Sequence, residues 1–135
     1  MIVDTSALLA FFDRDEPRHD DAVKIMGSGR DRLVVSPYVL AELDCLLATR
    51  LDVATEVAVL RELAGGAWEL ASLDGLDVLR AGSVIERYRD QAIGLADASI
   101  VVLAERYGTR RVATLDRRHF EVLRPLQGGR FAIVP

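Results

Sequence analysis

The sequence predicts an α/β fold: a central, mainly parallel sheet with helices on both faces, making a three-layer α-β-α sandwich. Three observations point there. Short apolar runs recur along the chain, a helical stretch separates each from the next, and none alternates polar with apolar as a water-facing sheet would. At 135 residues the chain has the commonest domain size, so a single domain over residues 1–135 is expected. Hydrophobic residues at 50% and charged ones at 28% fit a globular protein with a real core.

Met1–Val3 reads as the first strand and Thr5–Phe12 as a helix too apolar for a loop. A second helical stretch opens at Pro17 and fades at Gly27–Gly29. Leu33–Val35 is a β-branched run, and Ser36-Pro37 starts the next helix, with serine as N-cap and proline in the first turn. That helix is expected to reach about Arg50, and another to run from Asp52 to the Gly65-Gly66 stop. Ala67–Ala71 reads as a strand, Asp74–Arg89 as a helix, and Leu95–Tyr107 as a helix ended by Gly108. Val112–Leu115 is a strand, Arg117–Leu123 a short helix and Phe131–Val134 the last strand.

Composition removes several function classes. With Cys45 as the single cysteine no internal disulfide forms, and with His19 and His119 it completes an inventory too small for a four-ligand zinc site. The uncharged run Thr5–Phe12 is far short of the ~20 residues of a membrane helix and lacks the basic flank of a signal peptide. A cytoplasmic protein without a membrane partner is therefore expected. The net charge of −4 is unevenly spread: residues 1–79 hold 15 acids and 7 bases, residues 80–135 hold 6 acids and 10 arginines. Arginine is the better phosphate fork, so the basic half keeps nucleic acid in view.

In parallel sheets ligands bind beyond the carboxyl ends of the strands, and acids stand there. Asp4 follows the first strand and Asp116 the Val112–Leu115 strand; Glu42 and Asp97 lie early in the helices that begin near Pro37 and Leu95. Asp4 and Asp116 would also serve as N-caps, and Asp97 would complement a helix dipole. Glu42, among Val39, Leu43 and Leu46, and Asp97, among Ile100, Val101 and Ala104, each interrupt an apolar stripe. An unpaired carboxylate there is costly. Asp44, about 200° round the helix from Glu42, has apolar neighbours too, and periodicity does not choose between them. Were the acids to converge, two carboxylates ~4 Å apart would repel by about 4 kcal/mol at an effective dielectric of 20. Oxygen-only ligands that offset this with a cation select a hard ion, Mg²⁺ or Mn²⁺.

The opening M-I-V-D-T-S-A-L-L-A, the A-E-L of Ala41–Leu43, the A-D-A-S of Ala96–Ser99 and the T-L-D-R-R-H-F of Thr114–Phe120 resemble the PIN-domain nucleases. Within them the chain is similar to the VapC toxins of bacterial type II toxin–antitoxin pairs, over its whole length. The resemblance implies that Asp4, Glu42, Asp97 and Asp116 form the catalytic, metal-binding quartet, choosing Glu42 over Asp44. It places Ser6 and Thr114 at the hydroxyl positions lining the site. It further implies a Mg²⁺-dependent endoribonuclease, with Mn²⁺ as substitute, that leaves 5′-phosphate and 3′-hydroxyl ends on structured RNA such as a tRNA anticodon stem-loop or the ribosomal sarcin–ricin loop. The implied partners are a VapB-type antitoxin and a second copy, as a homodimer and as a heterotetramer or larger with antitoxin.

Arg117 and Arg118 flank Asp116 and are candidates for holding RNA phosphate; Arg87, Arg89, Arg110 and Arg111 would extend a basic track. His119 is not needed as a base beside a metal-activated water. Cys45 is expected to pack as a small hydrophobe, and Trp68, Phe11, Phe12 and Tyr38 to pack in the core or an interface rather than stack on RNA. Two phosphoryl-transfer rivals fail on single residues: a haloacid-dehalogenase-type phosphatase needs aspartate at position 6, where Ser6 stands, and a receiver domain needs a late lysine, whereas the only lysine is Lys24. The remaining alternative is a PIN nuclease of RNA maturation or DNA processing outside a toxin–antitoxin pair.

Overall fold

The computed structural model describes residues 1–135. The elements run β1 (Ile2–Val3), α1 (Thr5–Phe12), α2 (His19–Met26), β2 (Leu33–Val35), α3 (Pro37–Arg50), α4 (Val53–Ala64) and β3 (Trp68–Leu70). There follow α5 (Gly75–Arg87), a 3-10 turn at Arg89–Gln91, α6 (Leu95–Arg106), β4 (Arg111–Ala113), α7 (Arg117–Val122) and β5 (Ala132–Val134). The sheet has five strands in the order β3-β2-β1-β4-β5, every neighbouring pair parallel, and helices flank it.

The register sets Ile2 beside Val34 and Val112, and Val3 beside Val35 and Ala113. From β1 the chain moves outward to β2 and β3, then returns to β4 on the other side of β1. That reversal makes the β1–β4 boundary the topological switch point, where a parallel sheet opens a crevice.

Local chemistry explains the ends of the elements. Ser36 Oγ accepts the Tyr38 N–H at 3.2 Å, closing the start of α3 over Pro37. Asp74 and Asp77 each accept the other's backbone N–H at 3.0 Å, a capping box for α5. α6 ends in a left-handed Gly108 (φ 58°), with Gly108 N–H on the Glu105 carbonyl and Thr109 N–H on that of Ala104. Only glycine adopts that turn without strain, which is why the helix stops there.

The core is continuous from the sheet into α6, whose residues from Ala98 to Ala104 are all buried. Val39, Leu43 and Leu47 form the buried line of α3. Phe11, Phe12 and Trp68 pack as one cluster with ring centroids 5.0–5.8 Å apart, as packing rather than stacking residues. Three expectations need correction. Glu42 does not sit in the apolar stripe: α3 turns its Val39–Leu43–Leu47 line to the core, and Glu42 lies outside it, exposed. Cys45 is exposed too, displaced from the core by the same rotation. β4 begins and ends earlier than its apolar run implies, at Arg111–Ala113, so Asp116 stands at the end of a short loop and not at the strand end. No helix is long and apolar enough to cross a membrane.

Candidate active site

A cavity of about 510 Å³ opens where β1 and α3 lead into their following segments and α6 and α7 begin. Its acidic lining is Asp4, Glu16, Glu42, Asp97 and Asp116. Of the residues singled out from the sequence, Asp4, Glu42, Asp97, Asp116 and Ser6 line it directly, and Thr114 lies buried beneath Asp4.

Asp4 is the innermost acid. It occupies the N-cap position of α1 yet makes no side-chain cap bond. Instead its Oδ2 accepts Ser6 Oγ–H and Thr114 Oγ1–H, both at 2.7 Å. Ser6 Oγ in turn accepts the backbone N–H of Leu115 at 2.9 Å and of Asp116 at 3.3 Å, tying the loop after β4 to the start of α1. Burial pushes the Asp4 carboxyl above its ordinary range; the hydrogen bonds from Thr114 and Ser6 oppose that without cancelling it.

Asp97 stands in the first turn of α6 with its side chain 18% exposed. The Gly94 N–H reaches its Oδ2 at 3.4 Å, and His119 Nδ1 lies 2.9 Å from the same oxygen. Its acidity is weakened first by burial and then by the negative charge of Asp4, against the favourable pull of His119. Asp4 and Asp97 are thus two carboxylates that repel across the cavity with no arginine or lysine between them.

The other two acids are partnered. Asp116 caps α7 through the Arg118 N–H and binds the Arg118 guanidinium bidentately, Nε at 2.9 Å and Nη2 at 2.7 Å. That fork holds its carboxyl below the usual range. Glu42 Oε2 accepts Thr5 Oγ1–H at 2.5 Å. Asp44, on the other side of α3, faces Glu56 and not the cavity.

Several arginines turn away. Arg117 reaches Glu121 at 3.3 Å and the Pro135 carbonyl at 3.0 Å. Arg110 holds the Gly128 carbonyl, Arg111 pairs with Asp31, and Arg87 lies over the Tyr88 ring. Thr5, Glu16 and Arg50, which the sequence did not single out, also line the cavity, and His119, set aside as a base, lines it beside Asp97. His119 was within reach, since a residue three after Asp116 shares its face of α7. Glu16 and Arg50 meet only through the fold.

The donor set is oxygen from carboxylates and hydroxyls, with one imidazole at the edge, which is the chemistry of a hard divalent cation. As the side chains stand, no three acids, histidines or cysteines are set close enough to ligate one ion. The reason is visible: Asp116 is turned to Arg118 and Glu42 to Thr5. The Asp116–Arg118 pair is exposed, 39% and 83%, so opening it costs little. The repulsion between Asp4 and Asp97, which no arginine or lysine offsets, is what a cation would relieve, and on that ground the residues fit one.

The PIN domain family model matches residues 1–124. Ribonuclease VapC26 of Mycobacterium tuberculosis is 58% identical over 135 residues, the full length of both chains. Among solved structures, the sarcin–ricin loop cleaving toxin VapC20 of Mycobacterium tuberculosis superposes with a TM-score of 0.79 at 21% identity, covering 85% of this chain and 88% of that one. VapBC2 from Rickettsia felis, solved on a promoter DNA fragment, gives 0.67 at 14% identity, covering 90% of this chain and 91% of that one. The two structures share the fold.

Proposed function

The chain belongs to the PIN-domain family, and from that premise we propose that it is a VapC-type toxin: an endoribonuclease that cuts structured RNA and is held in check by an antitoxin. Full-length identity of 58% to a VapC ribonuclease supports the activity. The observation that carries the site is the Asp4–Asp97 pair, two acids lining one cavity at the switch point of the sheet, Asp4 buried and Asp97 partly so. A fold keeps such a pair when something else uses it.

Asp4 and Asp97 would hold Mg²⁺ or Mn²⁺, with Asp116 and Glu42 as the acids able to turn in from Arg118 and Thr5. Such an ion supplies an activated water and charge stabilisation on the phosphodiester. Ser6 and Thr114 fix the Asp4 rotamer, and His119 fixes that of Asp97. Arg118, now on Asp116, would be free for an RNA phosphate once Asp116 turns to the ion. The structured-RNA class, including the sarcin–ricin loop named for VapC20, rests on family likeness. So do the VapB-type antitoxin, the homodimer with its larger antitoxin complexes, and a cytoplasmic location. Leu76 and Leu79 on α5, 67% and 70% exposed, leave apolar surface for a protein partner.

The test is incubation with total bacterial RNA and Mg²⁺ or Mn²⁺, followed by sequencing of new 5′ ends. A few sharp cuts, absent with EDTA and absent from Asp4→Asn, are expected. Cuts that persist in Asp4→Asn would place the chemistry elsewhere. Cutting of DNA in preference to RNA would favour the DNA-processing alternative.

A further inference from the structure

Arg50 is the one arginine or lysine that lines the cavity, among five carboxylates. It ends α3, and its Nη1 lies 3.2 Å from Glu16 Oε1 in the segment between α1 and α2. Glu16 is held by backbone bonds at both sides, its N–H on the Asp13 carbonyl and its own carbonyl taking the His19 N–H. Glu42, Leu46 and Arg50 are spaced four residues apart and all line the cavity, so α3 presents them in a row about 12 Å long.

From this row we infer that Arg50 binds the RNA phosphate that flanks the scissile one, and that Glu16 occupies this phosphate position when no RNA is bound. The inference rests on the nuclease reading of the same cavity. A polyanion entering a cleft of carboxylates needs a fixed cation beyond any ion at Asp4 and Asp97, and Arg50 supplies the only one in the lining. Its planar guanidinium suits a phosphate fork as it suits a carboxylate. The Glu16–Arg50 pair is half-exposed, 28% and 51%, so it contributes little stability and exchanges readily. Leu46, between Glu42 and Arg50, offers an apolar step for the sugar or base in between.

Arg111 provides a matched control. It makes an ion pair of the same 3.2 Å length, with Asp31, at the opposite end of the sheet. The probe is a short fluorescein-labelled oligouridylate, its binding read by anisotropy across a salt series with Ca²⁺ replacing Mg²⁺. Arg50→Ala is expected to weaken binding roughly tenfold at low salt. The slope of log K against log salt should become shallower by about 0.7, the loss of one phosphate contact on a single strand. Arg50→Lys should restore the slope while recovering only part of the affinity. Glu16→Gln should tighten binding, and should gain much less when made in the Arg50→Ala background. Arg111→Ala should bind as wild type.

Equal binding by Arg50→Ala and Arg111→Ala would overturn the inference, as would failure of the wild-type chain to bind oligouridylate at all. An equal gain from Glu16→Gln in both backgrounds would overturn the role given to Glu16. Arg50-dependent binding without any cut in bacterial RNA would sink the nuclease and leave the phosphate contact standing. Cutting with Arg50-independent binding would do the reverse.

Discussion

At the end of the sheet where the strands begin, acids meet bases. Arg32 and the Tyr107 hydroxyl bind Glu69, Arg111 binds Asp31, and the chain's own amino group donates to the Arg32 carbonyl at 2.9 Å. Those partners hold the Glu69 carboxyl below its ordinary range. At the end where the strands finish, Asp4 and Asp97 face each other with hydroxyls, backbone N–H groups and an imidazole around them, and both carboxyls are pushed up. Both ends are built on the same strands. The difference is that the acids at the first end each meet a basic or phenolic partner, whereas Asp4 at the other has no basic side chain bonded to it. That is what the proposed cation site calls for.

The sharpest way to break this comparison is Asp97→Asn. Cleavage of RNA should fall by at least on the order of 10²-fold, as for loss of a group that stabilises developing charge. Without metal the same change relieves burial and the repulsion from Asp4, so the melting temperature should rise, by roughly 2–5 °C. A fall in both activity and metal-free stability would make Asp97 a structural acid like Glu69.

Thr114→Val removes one of the two hydroxyls on Asp4 Oδ2 and should cost about 1–3 kcal/mol in chemical denaturation, because a buried acceptor loses its donor. A neutral result would mean that Ser6 alone satisfies Asp4.

The pH dependence follows from the signs. Asp4 and Asp97 bind protons more tightly folded than unfolded, so their contribution is fullest at low pH and declines as pH climbs above the ordinary carboxylate range. Asp116 and Glu69 act oppositely, and their contribution is lost as pH falls below that range. Metal-free stability should therefore peak in mildly acidic solution and decline toward neutrality, and saturating Mn²⁺ should flatten that decline. A melting temperature still rising from pH 5 to pH 8 without metal would contradict the account.

The smallest effect is expected at the balanced end. Arg111→Ala breaks a partly exposed pair and should cost no more than about 1 kcal/mol, with RNA cleavage unchanged.

How far the sequence reaches follows the same division. Strand and helix order is legible because apolar runs, Ser36-Pro37 and Gly108 act within a few residues. The ends blur where a run of apolar residues outlasts the strand, as at Leu115, or where a helix slackens into a 3-10 turn, as at Arg89–Gln91. Asp4 and Asp116 are legible as acids just after strands and Glu42 and Asp97 as acids early in helices, and family likeness, not periodicity, separates Glu42 from Asp44. What stays hidden is contact across the fold. Thr5 beside Glu42, Glu16 beside Arg50 and Thr114 beneath Asp4 join residues 37, 34 and 110 positions apart. No local pattern marks them.

The most direct test is calorimetric titration of the metal-free chain with Mn²⁺, beside Asp97→Asn and Arg111→Ala. Wild type and Arg111→Ala should bind alike, and Asp97→Asn at least about tenfold more weakly. Equal affinity in all three would mean that the uncompensated pair at the end of the sheet is not the cation site.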